Sequence, residues 1–113
     1  MQALQLMNDV QHFEAARKLA ERTIREVTAD PEQRIRFLFR VVLARSPDDA
    51  ELTATHKALK QFQARLAANP DDAQKMIRVG ESIPAATIAP IELGTYTLLC
   101  NLILNLDETV MRN

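Results

Sequence analysis

Apolar positions recur every three or four residues along most of the chain, the spacing of one face of an α-helix. From about Val10 to Val27 that face is Phe13, Ala16, Ala20, Ile24 and Val27, and the polar side is assigned Arg17, Lys18, Glu21, Arg22 and Arg25. Glu14 with Lys18, and Glu21 with Arg25, stand as i,i+4 pairs in the favourable orientation. Asp30-Pro31-Glu32-Gln33 is a helix start, with Asp as cap and Pro at the first helical position. The helix it opens runs to about Ala44 and carries Ile35, Leu38, Phe39, Val42 and Leu43, widened by Phe37 and Val41. Its breadth of apolar surface predicts the central helix of a bundle. Asp48-Asp49-Ala50-Glu51 is a capping box, after which Leu52, Thr55, Leu59, Phe62 and Leu66 form a narrow stripe to about Ala68, suited to an outer helix.

Asn69-Pro70 breaks the chain, and a short helix, Pro70 to Val79, is expected to end at Gly80. Residues 80–90 hold Gly80, Pro84 and Pro90 without helical period, and read as the one long loop, with Ile83 and Ile88 dipping back onto the bundle. The last main helix, Pro90 to about Leu104, is apolar on most sides, and Asn105-Leu106-Asp107-Glu108 is expected to bend or recap it before a short tail through Met111. The fold expected is therefore all-α, a compact orthogonal or irregular bundle of four to five helices in a single domain covering residues 1–113.

Composition agrees: with five aromatic residues, no Trp and two Gly, the chain lacks what a β-sandwich of this size would want. A net charge of −1 argues against a dedicated nucleic-acid binder. No window is long and apolar enough for a membrane span; the best run, Leu98 to Leu106, is interrupted by Asn101. One cysteine, Cys100, excludes an internal disulfide and a C-x-x-C site, and its apolar surroundings make it a core residue.

Chemistry is sparse. His12 and His56 stand on different helices without metal-ligand spacing, so no metal is expected and no cofactor within this chain. The Asp48-Asp49 and Asp71-Asp72 pairs sit at helix starts, where capping and the helix dipole explain them. No nucleophile elbow or phosphate-binding glycine cluster is present, and no catalytic residue is assigned. The remaining candidates for a partner or ligand surface are Arg36, Arg40 and Arg45, with Glu81 and Ser82 in the loop. Arg34, Arg36, Arg40 and Arg45, on so apolar a helix, could hold an acidic ligand or partner. The plainer expectation is that Arg34, Arg36 and Arg40 reach outward, Arg36 pairing with Glu32, while Arg45 meets Asp48 or Asp49.

Three stretches in this order resemble a known family. They are Gln2 to Asp9 followed by Phe13-Glu14-Ala15-Ala16; Arg34-Ile35 through Ala44-Arg45-Ser46-Pro47 to Glu51-Leu52; and Val79-Gly80-Glu81-Ser82 with Pro90-Ile91-Glu92-Leu93, closing on Leu104 to Glu108. Together they resemble the C-terminal region of the planctomycete-type domain-of-unknown-function family 1553. Ala44 stands where that family tends to have Gly, Tyr96 where Trp is usual, and Thr109 where Phe often appears.

The resemblance implies a C-terminal fragment of a large exported, periplasmic or otherwise extracytoplasmic bacterial protein, with c-type haem sometimes carried by an upstream domain. It also implies that Ala3 to Met7 is the end of a helix begun upstream. The expected role is a non-catalytic helical domain that docks onto upstream domains of its own chain, and that in isolation can pair with a second copy. The alternatives are one wall of an extracytoplasmic enzyme of polysaccharide or redox metabolism, and a free-standing helical interaction adaptor.

Overall fold

The computed structural model describes residues 10–80 and 83–112, with side chains from residue 12 to residue 106 apart from 81 and 82. The apolar opening, Ala3 to Met7, lies outside the described residues, as do Glu81 and Ser82. The elements are α1 (Val10–Glu26), α2 (Pro31–Leu43), α3 (Asp49–Ala68), α4 (Pro70–Met76) and α5 (Pro90–Arg112), and no strand occurs among the described residues. The all-α expectation holds, at five helices. The radius of gyration is 13.5 Å, against about 13 Å for a compact chain of this length.

Local chemistry explains the boundaries. The Asp30 carboxylate accepts the Glu32 N–H at 3.3 Å, with Pro31 at the first turn of α2. The α3 capping box closes on both sides: Asp48 accepts the Glu51 N–H at 2.7 Å, and Glu51 accepts the Asp48 N–H at 3.0 Å. At the end of α2, Ala44 takes the left-handed conformation, φ 59 and ψ 32, while its N–H still bonds the Arg40 carbonyl. That conformation accounts for a preference for glycine there, since a Cβ is crowded in it.

Two helix ends differ from expectation. Helix α4 stops at Met76, and Gly80 turns the chain further on, with φ +100. Helix α5 runs unbroken through Asn105 to Arg112. Asn and Asp are only mildly unfavourable inside a helix, and no Gly or Pro follows to stop it.

The arrangement around the centre also differs. Helix α5, rather than α2, is the middle of the bundle, since it packs against all four other helices. It supplies the fully buried Leu93, Leu99, Cys100 and Ile103. Ala16 and Ala20 of α1, Ile35, Leu38 and Phe39 of α2, Leu59 of α3 and Ile77 beyond α4 join them in one core. Helix α2 covers one side, leaving Val41 at its surface 42% exposed. Thr23, Thr55, Thr95 and Thr97 are buried because each hydroxyl donates to the carbonyl four residues back, at 2.7–2.8 Å.

Candidate functional site

Two buried arginines organise the charges, and neither takes the outward position expected of it. Arg17, only 1% exposed, sits on α1 four residues after Phe13 and three before Ala20, which places it on the buried side. Its Nη1 donates to Glu21 Oε2 at 2.8 Å, and Nη2 lies 3.8 Å from Glu14 Oε2. The same Glu21 oxygen accepts the backbone N–H of Ala85 at 2.7 Å. Gly80 backs onto Glu14 so closely that an added Cβ would lie 2.6 Å from its carboxyl carbon. The α4–α5 connection is thus clasped to α1 at both ends, which explains why Arg17 and Glu21 leave the solvent side.

That clasp corrects another expectation. Ile88 is buried at 8% exposure, but Ile83 is 89% exposed rather than folded back onto the bundle. With Gly80 and Ala85 fixed against α1, Ile88 fills the core position and Ile83 stands out.

Arg34, 5% exposed, is the second. It stands four residues before Leu38, again at core spacing. Its Nη1 donates to Glu92 Oε2 of α5 at 3.1 Å and its Nη2 to the Ile24 carbonyl at 3.4 Å. The guanidinium carbon lies 5.0 Å from the centre of the Tyr96 ring, a cation–π distance. One side chain therefore joins the end of α1, the start of α2 and the start of α5. Beside it opens a cleft of about 320 Å³ between α2, α3 and α5.

Of the residues singled out from sequence, Glu81 and Ser82 lie outside the described residues, and the three arginines have separate surroundings. Arg36 pairs with Glu32 at 3.0 Å, as expected, and the pair is largely exposed. Arg40 is exposed, four residues on along the same helix. Arg45 misses Asp48 and Asp49 as direct partners. It grips Glu51 instead, Nη1 to Oε1 and Nη2 to Oε2, both at 2.7 Å. Its guanidinium lies 5.7 Å from the Phe39 ring. Arg45, with the Asp48 N–H, holds the Glu51 carboxyl at a pKa of about 2, below the ordinary value of 4.5. The expected Glu21–Arg25 pairing is replaced by the Arg17–Glu21 contact, while Arg22 and Glu26 pair at the surface at 3.4 Å.

His56 is half-buried on α3, beside Lys57 and Lys60 in a shallow surface groove. Cys100 is fully buried, and burial pushes its thiol far above the ordinary range. No group of three or more His, Cys, Asp or Glu able to hold a metal occurs among the described residues. Among them also, no helix is long and apolar enough to cross a membrane.

Sequence reasoning weighed Arg34 but expected it to reach outward, and it missed the roles of Glu92 and Tyr96. The legible signal was the position of Arg34 in phase with the apolar stripe. Its two partners, 58 and 62 positions away, carry no local mark.

Among comparisons with known proteins, no curated protein and no solved structure matches the chain. A family model described as PSD1: Protein of unknown function (DUF1553) matches residues 1–59, just over half of the sequence. That span holds the clasp arginine, the whole of α2 and the Arg45–Glu51 pair. The chain belongs to the DUF1553 family.

Proposed function

We propose that this chain is a non-catalytic helical domain that supports and docks onto upstream domains of a longer extracytoplasmic bacterial protein. The observation that carries the reading is Ile83. An isoleucine 89% exposed, two residues before the anchored Ala85, is available to enter an apolar recess on a partner. Val41, 42% exposed, and the exposed Arg40 one residue before it give α2 an exposed apolar and cationic point of its own. The inward use of charge supports a scaffold role: Arg17 and Glu21 fasten a loop, and Cys100 is sealed in the core.

In this reading the domain stands at the C-terminal end of its parent, of planctomycete type, and any c-type haem belongs to an upstream domain. The partner is that upstream region, and a second copy can cover the same surface when the domain is isolated.

The test is hydrogen exchange on the full-length parent and on this chain alone. Docking predicts that the amide of Ile83 itself is protected only in the parent, and that Ile83→Asp removes that protection at residue 83 without lowering the melting temperature of the isolated chain. Equal exchange in the two contexts overturns the proposal. So does loss of a catalytic activity of the parent on substituting Arg36 and Arg40 by Ala, which would make this chain one wall of an active site.

A further inference from the structure

The cleft between α2, α3 and α5 goes beyond a scaffold role. Its polar side is made by Arg34, Glu92, Thr95 and Tyr96, with Gln63 facing them from α3. Its apolar side is made by Pro31, Leu59 and Ile91. At about 320 Å³ it lies at the lower end of the range of small-molecule sites.

Three observations bear on what would enter. First, Arg34 is buried to nineteen parts in twenty, yet its Nε has no hydrogen-bond partner among the described residues. A guanidinium has five N–H donors, and a buried one left unsatisfied is costly. Second, Ile91 and Glu92 lie in the first turn of α5, and Ala89, whose carbonyl takes the first helical bond, brings no side-chain oxygen to cap that turn. An uncapped helix start favours negative charge. Third, an anion already sits there. Glu92 reaches Arg34 through a single oxygen at 3.1 Å while its side chain remains 43% exposed, so it can swing to solvent.

We infer that this cleft binds a small organic monocarboxylate, whose carboxylate takes the place of Glu92 on Arg34 and whose hydrocarbon part lies against Pro31, Leu59 and Ile91. A carboxylate matches the fork of a guanidinium and can accept two parallel N–H bonds where Glu92 accepts one. A phosphate dianion is disfavoured, because Glu92 remains near as a like charge. Tyr96 under the guanidinium fixes its plane, so the arginine is oriented before the ligand arrives.

The probe is butyrate, titrated to about 50 mM at constant ionic strength into the intact chain and followed by amide NMR shifts, with inorganic phosphate and chloride as parallel arms. Butyrate is expected to shift Ile91, Glu92, Thr95 and Tyr96 saturably, and the other two anions to leave them unmoved. Glu92→Gln keeps the size of the side chain and removes the competing charge, so butyrate should bind about two- to fivefold more tightly. Arg34→Met should abolish the shifts. If that variant does not fold, the direction of the Glu92→Gln effect decides alone. Absence of saturable shifts in both the unaltered chain and Glu92→Gln overturns the inference, as does weaker binding in Glu92→Gln or an equal response to all three anions.

Discussion

Replacing Ala44 with glycine isolates what a single backbone conformation costs this protein. Ala44 ends α2 at φ 59 and ψ 32, and its side chain is exposed. The left-handed conformation costs an L-residue roughly 1–2 kcal/mol, a cost that glycine escapes. Glycine in turn loses about 0.4–1 kcal/mol through the greater freedom of its unfolded chain. Removing an exposed methyl forfeits little burial, so Ala44→Gly should stabilise the fold by about 0.5–1 kcal/mol, or about 2–6 °C in melting temperature.

Ala15→Gly is the control. It makes the same chemical change at an exposed position inside α1, where helical φ and ψ hold and the effect should reverse, to a loss of roughly 0.5–1 kcal/mol. Thermal and urea unfolding followed by circular dichroism at the helical band reads both variants. The reasoning fails if Ala44→Gly melts at or below the temperature of the unaltered chain while Ala15→Gly falls as expected. In that case the turn is held by something other than its backbone preference.

Three further outcomes follow from the charged and buried groups. Glu21→Ala removes the acceptor shared by Arg17 and the Ala85 N–H, and should cost about 3 kcal/mol, as breaking a buried pair does; hydrogen exchange at Ala85 should accelerate by more than that global loss requires. Glu51 has a folded-state pKa of about 2, lowered from 4.5 by Arg45 and the Asp48 N–H. Its contribution is therefore complete above about pH 4.5 and is lost as the pH falls through about 2. The melting-temperature gap between the unaltered chain and Glu51→Gln should accordingly shrink from pH 5 to pH 2, and a gap that stays constant refutes the assignment. Because that pair is partly exposed, the gap should also narrow in high salt. Cys100, buried with its thiol pKa raised, should react with a disulfide reagent only as fast as the protein opens; rapid reaction in native buffer would show that the core is permeable there.

The signals for helix starts were faithful to local structure, while the expected stops at Gly80 and Asn105 were not. Asp30-Pro31 and the Asp48–Glu51 box begin helices because capping is settled within four residues. The stripe Thr55, Leu59 and Leu66 is buried as its period requires. What the sequence concealed depends on residues far apart. Helices α2 and α5 are both broad in apolar surface, and which one is surrounded is decided only by how all five pack. Arg17 and Arg34 stood in the apolar phase, but the burial of Arg34 depends on acceptors from other elements, Glu92 of α5 and the carbonyl of Ile24 in α1, and that of Arg17 on Glu21 of its own helix, which the Ala85 N–H holds from the loop. Ile83 looked like a core residue by type. Its exposure follows from two anchors, Glu14 against Gly80 and Glu21 on Ala85, that no stretch of adjacent residues reveals. Of the arginines expected at a shared surface, Arg36 and Arg45 are engaged by local partners, Glu32 and Glu51, that lay within i,i+4 and turn reach, while Arg40 stands exposed.

The central position of α5 has a consequence for how the chain assembles. Helices α1, α2, α3 and α4 all close on a segment that begins at Pro90, so the keystone is synthesised after the four helices it joins. During translation the earlier helices emerge with their apolar faces uncovered, and the bundle cannot shut until Leu93 to Ile103 have also left the ribosome. The long-range α1–α5 contacts then carry the loop-closure entropy of nearly the whole chain. The same topology makes residues 1–59, the part that the family model matches, a recognisable sequence unit but not a folding unit. The core those residues bury is completed by Leu93, Leu99 and Ile103, which lie beyond that span.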